Sequence, residues 1–79
     1  MKLGDVVTNI KAAIDGAPRN DYTAELHVQI IKYFDALREV TGEEFCKELG
    51  IKDSYKTEFA KMRKIAPRLR QAGLDVDKL

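Results

Sequence analysis

Few residues of this sequence have the types and spacing that catalysis requires. His27 is the only histidine, and the sequence supplies neither the pocket nor the partner that general acid–base chemistry needs. Cys46 falls on the inward side of a short predicted helix, where a thiol behaves as a small apolar side chain. Asp35 and Glu39 stand one helical turn apart, but basic neighbours indicate surface ion pairs there. We therefore predict a protein that is not an enzyme.

Motifs for bound groups and for membranes are equally sparse. We find no phosphate loop, nucleophile elbow or metal-ligand spacing, so we expect no cofactor, no metal and no small-molecule substrate. A single cysteine cannot close an internal disulfide. No signal-type segment follows Met1, and no apolar run approaches the roughly 18 to 20 residues of a membrane helix. These features predict a cytoplasmic protein without a membrane partner.

Positive charge is concentrated in one stretch. The net charge is +1 over 79 residues. Residues 1–51 carry 6 basic and 9 acidic side chains, net −3, whereas residues 52–70 carry 7 basic and 2 acidic, net +5; residues 71–79 are net −1, so the three parts sum to +1. Such a stretch makes a local positive field that suits a polyanionic partner, although a solvated helix face has the same composition.

The first half of the chain has helical periodicity. Apolar residues from Leu3 to Ile14 recur at intervals of three or four and predict a helix over about residues 4–15, ending at Gly16. Residues 17–21 have turn composition because Pro18 disfavours a helix at the residue before it. A second helix is predicted from about residue 22 to residue 40. Val28 and Ile31 lie outside its main apolar arc; we expect packing against the first helix and then a dimer contact to cover them, with the chain's own tail as the alternative.

The second half should contain shorter helices. Residues 41–44 match a capping box that starts a helix at residue 42, in which Thr41 caps a backbone N–H and Glu44 reaches back to the N–H of the cap residue. Gly50 should end that helix. Asp53 or Ser54 should cap the next one, whose apolar stripe is Tyr55, Phe59, Met62 and Ile65 or Ala66. We expect it to stop near residue 65, with Pro67 opening a short helix over about residues 67–72.

Residues 41–65 therefore contain a capped helix, a glycine turn and a basic helix in that order. This order resembles the helix-turn-helix of small bacterial and phage DNA-binding regulators. The motif requires a small residue where its helices cross, a glycine at the turn and apolar residues beside it; here these are Cys46, Gly50, Leu49 and Ile51. The family pattern expects an apolar residue two or three positions after the serine of the turn, where this sequence has Lys56 and Thr57. The sequence departs from that pattern by offering Tyr55 instead. The predicted fold is all-α, a single compact domain of four to five helices over residues 1–79.

The resemblance implies that the second helix of the motif enters the major groove of duplex DNA. Positions at its start should then meet base edges, and flanking cations should meet phosphates. The exposed early positions, which are the candidates for the groove, are Lys52, Ser54, Lys56, Thr57, Ala60 and Lys61. One flank carries Lys56, Arg63 and Arg70, and the opposite side carries Thr57, Lys61, Lys64 and Arg68 if the helix continues. The predicted DNA-binding residues are Lys52, Ser54, Lys56, Thr57, Lys61, Arg63, Lys64 and Arg68.

The leading interpretation is a small DNA-binding transcriptional regulator that acts as a homodimer, because two-fold pairing doubles the contacts that one short module makes. The alternative is a non-enzymatic adaptor or inhibitor that uses the same helical surface to bind a protein. Fold resemblance alone does not separate these two classes.

Overall fold

The computed structural model describes residues 2–79 and is all-α, as predicted. Within those residues there are four α-helices, three 3-10 turns and no strand. The 3-10 turns are Arg19–Asp21, Asp53–Tyr55 and Val76–Lys78. The helices are α1 (Leu3–Gly16), α2 (Tyr22–Lys32), α3 (Gly42–Leu49) and α4 (Lys56–Gln71).

The N-terminal helices pair as the sequence predicts. α1 buries Val6, Ile10 and Ile14, which recur every fourth residue and so lie along one side of the helix. α2 begins at Tyr22, directly after the Arg19–Asp21 turn, and buries its own apolar side against α1 and α4. α2 is therefore the central element that joins the first helix to the C-terminal pair.

α2 is shorter than predicted. It ends at Lys32, and residues 33–39 form turns instead of continuing the helix to residue 40. The N–H of Leu37 is shared between the carbonyls of Tyr33 and Phe34, at 3.0 and 3.2 Å. Leu37 and Val40 are nonetheless buried. Tertiary contacts outweigh the local helical pattern here, because the turns place these two side chains in the core.

The cover expected over Val28 and Ile31 is supplied in part by the chain itself. Both side chains are half-buried within the single chain. The large apolar side chains that remain exposed among the described residues are Leu3, Ile65, Leu69 and Leu79. Two of them, Ile65 and Leu69, lie one turn apart on α4.

α3 has the predicted bounds, with a small change in its cap. The Thr41 hydroxyl accepts a hydrogen bond from the Glu44 N–H at 3.1 Å and donates one to the Glu44 carboxylate, also at 3.1 Å. Glu44 thus bonds the hydroxyl, whereas we predicted a bond to the Thr41 N–H. Gly50 ends α3 with φ of 67°, a left-handed conformation that glycine adopts without a steric penalty.

The start of α4 corrects one prediction. Neither Asp53 nor Ser54 caps the helix through its side chain; both lie in the Asp53–Tyr55 turn that precedes it. The Asp53 carboxylate pairs instead with the Lys56 ammonium at 3.1 Å. Backbone groups of the 3-10 turn form hydrogen bonds with one another directly before the helix. A side-chain cap is therefore unnecessary there.

The end of α4 corrects a second prediction. The helix runs through Pro67 to Gln71, whereas we predicted a stop near residue 65 and a separate helix over about residues 67–72. Pro67 is exposed, so its ring lies on the solvent side, and only one backbone hydrogen bond is lost. Buried Ala66 and an ion pair from Arg70 to Asp35 at 2.7 Å hold the last turns in place.

The core lies where the four helices meet. Phe45 of α3 and Phe59 of α4 stack at its centre with ring centroids 4.4 Å apart. Ala66, and not Ile65, completes the buried stripe of α4. The packed cluster consists of Val6, Ile10, Ile14, Leu26, Ile30, Leu37, Val40, Phe45, Cys46, Leu49 and Phe59.

Candidate nucleic-acid interface

α3 and α4 form a tightly joined helical pair. The two helices come close at Gly42, where an added Cβ would lie 2.9 Å from the Cβ of Lys56. We predicted that Cys46 would be the small residue at the crossing. Cys46 lies one turn farther along α3, buried, with Sγ 4.0 Å from the carbonyl oxygen of Asp53. The sequence did not reveal this contact of Gly42, because a glycine also fits the first position after a helix cap.

Burial fixes the character of the Cys46 thiol. Burial is the main cause that raises its pKa, and the nearby Asp53 carboxylate raises it further while Lys56 lowers it. A raised pKa keeps the thiol protonated at neutral pH, and a protonated thiol is a poor nucleophile. The side chain therefore serves as packing beneath the turn between α3 and α4.

The solvent side of α4 carries a row of polar and basic side chains. Because the helix continues through Pro67, residues spaced by four, three and four positions fall on one line along it. All four of these side chains are exposed. We call this row the outer face; it consists of Thr57, Lys61, Lys64 and Arg68.

The cations on the other flank of α4 are engaged within the protein. Arg63 donates from Nη1 to the Val40 carbonyl at 2.7 Å, donates from Nη2 to the Arg38 carbonyl, and lies over the Phe59 ring. Arg70 pairs with Asp35. These arginines hold α4 against the segment between α2 and α3, so they position the outer face.

Lys56 belongs to the same flank but remains exposed. Its ammonium bonds the Asp53 carboxylate, and this hydrogen bond is the main cause that raises the Lys56 pKa. The lysine therefore stays charged at neutral pH. Because Lys56 is fully solvated, the pair restrains its position only weakly.

Glu58, the acidic residue within the basic stretch, is engaged by a residue of α2. Its carboxylate lies 2.7 Å from Nε2 of His27 on α2 and is half-buried there. Lys61 is 3.9 Å from the other oxygen of the same carboxylate, a loose contact in solvent. The pairing with His27 could not be predicted from the sequence, because the two residues are 31 positions apart. As a result, the Glu58 charge opposes the outer face less than the composition suggests.

The turn before α4 presents two more of the predicted residues. Lys52 and Ser54 are both exposed, and they precede Thr57 at the N-terminal end of the outer face. The structure thus places Lys52, Ser54 and Lys56 near the start of α4 and extends the basic row along the helix to Arg68.

The described part of the chain has neither a metal-binding cluster nor a membrane-spanning helix. Residues 2–79 contain no cluster of three or more His, Cys, Asp or Glu side chains that would hold a metal ion. Over the same range, none of the helices has the length and apolar composition needed to cross a membrane.

Comparison with known proteins agrees with the helical geometry. A family model described as an HTH-like domain matches residues 3–72. The match confirms the predicted helix-turn-helix domain and extends it from residues 41–65 to all four helices. Neither a curated protein nor a solved structure gives a significant match to the chain.

Proposed function

The chain belongs to the HTH-like domain family, and from that premise we propose that it binds duplex DNA through the outer face of α4. The single observation that carries this proposal is the exposed row of Lys61, Lys64 and Arg68 on one side of a continuous helix. Among the described residues, Lys64 and Arg68 form no ion pair. Their charges are therefore available to an anionic partner.

The dimensions of α4 suit a major groove. The helix has 16 residues, which corresponds to a length of about 24 Å at a rise of 1.5 Å per residue. A major groove about 12 Å wide admits one α-helix. The N-terminal end of a recognition helix meets base edges, so we assign that role to Lys52, Ser54, Lys56 and Thr57.

The later basic residues suit the phosphate backbone. Lys61, Lys64 and Arg68 are spaced along the helix so that they can follow a phosphate track, and release of condensed counterions would supply sequence-independent affinity. Arg63, which we predicted as a DNA contact, is left out of the proposed interface because its guanidinium already bonds two carbonyls and covers a ring. Its role in the proposal is to orient α4.

The biological setting follows from the same proposal. We assign the protein as a cytoplasmic transcriptional regulator that acts by binding, without catalysis. We also propose a homodimer, because one helix makes few contacts and a two-fold pair doubles them. Exposed Ile65 and Leu69, one turn apart on α4, supply an apolar contact for the second copy. Light scattering over a range of concentrations should show the doubled mass, and a constant monomeric mass would remove the dimer.

A gel-shift experiment tests DNA binding directly. We expect the wild-type protein to shift a duplex of random sequence in about 50 mM salt, and to lose that shift at higher salt. Lys61→Glu with Lys64→Glu should abolish the shift. Lys2→Glu with Lys11→Glu makes the same charge change at exposed positions before and on α1, and it should leave much of the shift intact.

Two outcomes would contradict the proposal. If micromolar wild-type protein leaves duplex DNA unshifted at low salt, the outer face does not bind DNA, and the adaptor or inhibitor of an acidic protein becomes the better interpretation. If the α1 pair of substitutions reduces binding as much as the α4 pair, the interaction follows the net charge and has no defined face. Circular dichroism of each variant checks that helicity is unchanged.

A further inference from the structure

We propose that a cavity between α2 and the turn before α4 binds a small planar organic anion, a ring that carries a carboxylate or a phosphate. The cavity has a volume of about 440 Å³ and opens to solvent. This volume lies within the range of small-ligand sites. The residues that define its chemistry are Arg19, Tyr22, Thr23, Ile51, Lys52 and Tyr55.

The walls of the cavity favour a ring. Tyr22 and Tyr55 lie with ring centroids 5.8 Å apart and planes inclined at 51°, and Ile51 adds an aliphatic surface beside them. Aromatic side chains in such offset arrangements contact a further planar ring favourably. Tyr22 and Tyr55 are both half-buried, so packing restrains their rings.

The rim of the cavity favours an anion. Arg19 and Lys52 both line it, and no acidic side chain does. Within residues 2–79 neither cation forms an ion pair. The first turn of α2 also lines the cavity through Tyr22 and Thr23. Arg19 and Lys52 therefore supply the positive charge at the rim.

The Tyr22 hydroxyl adds a donor to this site. Burial is the main cause that raises its pKa, with smaller contributions from Tyr55 and Asp15. The hydroxyl thus stays protonated at neutral pH and can donate a hydrogen bond to an anionic oxygen. The site therefore suits one molecule with two parts. The ring contacts would bind its ring, and the two cations and the hydroxyl donor would bind its anionic group.

A phosphate group of bound DNA would use only part of this site. It would reach the cations but leave the tyrosine and isoleucine walls without a partner. The ligand proposal does not rest on DNA binding, but the two proposed sites share Lys52. The variants that test the ligand site are therefore placed at Arg19 and Tyr55, which the DNA-binding proposal does not use, and loss of ligand binding with DNA binding unchanged separates the two proposals.

The test is a titration of the full chain followed by ¹⁵N–¹H NMR and calorimetry. Two probes carry a ring and a charge, adenosine 5′-monophosphate and benzoate; adenosine carries the ring alone, and inorganic phosphate the charge alone. We expect at least one ring-plus-charge probe to shift the amides of Tyr22, Thr23 and Ile51. It should bind about tenfold more tightly than adenosine or phosphate, because it gains both sets of contacts.

Variants make the test specific. Arg19→Gln should weaken binding of that probe by about tenfold through loss of a charge-assisted hydrogen bond, and Tyr55→Leu should remove the preference for a ring. Lys47→Gln, at an exposed position of α3, is the matched control and should bind as the wild type does. The proposal is overturned if no probe shifts these amides at about 10 mM, if phosphate alone binds as well as the ring-bearing anions, or if Arg19→Gln binds them as tightly as Lys47→Gln.

Discussion

Arg63 on α4 donates a hydrogen bond to the backbone carbonyl of Val40 across 2.7 Å. The same guanidinium bonds the Arg38 carbonyl and lies over the Phe59 ring. These contacts tie α4 to the segment that leads into α3. The direction of the outer face therefore depends on an arginine that the sequence alone assigned to DNA contact.

Substitution of Arg63 should reduce stability. Arg63→Met removes donors from two carbonyls, and bonds to charged groups are worth about 1.5 to 3 kcal/mol. Arg63→Lys keeps the charge but has no planar fork to reach both carbonyls, so it should also lower the free energy of unfolding. Urea denaturation measures both variants. Wild-type stability in Arg63→Lys would mean that only the charge of Arg63 matters.

The close contact at Gly42 should make that position intolerant of a side chain. Alanine there would place its Cβ 2.9 Å from the Cβ of Lys56, which is attached directly to the backbone and cannot swing aside. We expect Gly42→Ala to destabilise the protein by about 1 to 3 kcal/mol through overpacking.

Gly4 provides the matched control for that substitution. It lies near the start of α1, and an added Cβ there meets no atom within 4 Å. Gly4→Ala should leave stability unchanged or raise it by up to about 1 kcal/mol, because alanine has the better helix propensity. Equal melting temperatures for the Gly42 and Gly4 variants would contradict the close approach of α3 and α4.

Pro67 offers a test of the continuous α4. Because the helix passes through this residue, Pro67→Ala should restore the N–H that proline lacks and allow a bond to the carbonyl four residues earlier. We expect thermal unfolding to show a gain of about 1 to 3 kcal/mol. A loss of stability would indicate that the helix stops before Pro67, and Arg68 would then leave the row formed by Lys61 and Lys64.

Local signals in the sequence were sufficient for some elements and not for others. Thr41 and Gly50 define α3 because the cap at each end involves residues only a few positions away. In contrast, α2 stops before the predicted residue because Leu37 and Val40 are buried in the core. The passage of α4 through Pro67 depends on packing, including that of buried Ala66. Such long-range contacts have no local pattern.

The same distinction applies to the candidate site. The alignment of Lys61, Lys64 and Arg68 follows from helical periodicity, so the row was predictable once the helix was assumed to continue. Which cations are engaged within the protein was not predictable. Arg63 bonds carbonyls 23 and 25 positions away, and those partners become visible only when the helices are packed.

The most direct test of DNA binding is the dependence of affinity on salt. Fluorescence anisotropy with a labelled random duplex should give a linear fall of log K with log salt, with a slope of about −0.9 for each phosphate neutralised. Lys61→Gln with Lys64→Gln should make that slope shallower by about 2, whereas Lys2→Gln with Lys11→Gln should leave it unchanged. An identical slope for the wild type and the Lys61 and Lys64 variant would contradict the claim that the outer face of α4 contacts DNA.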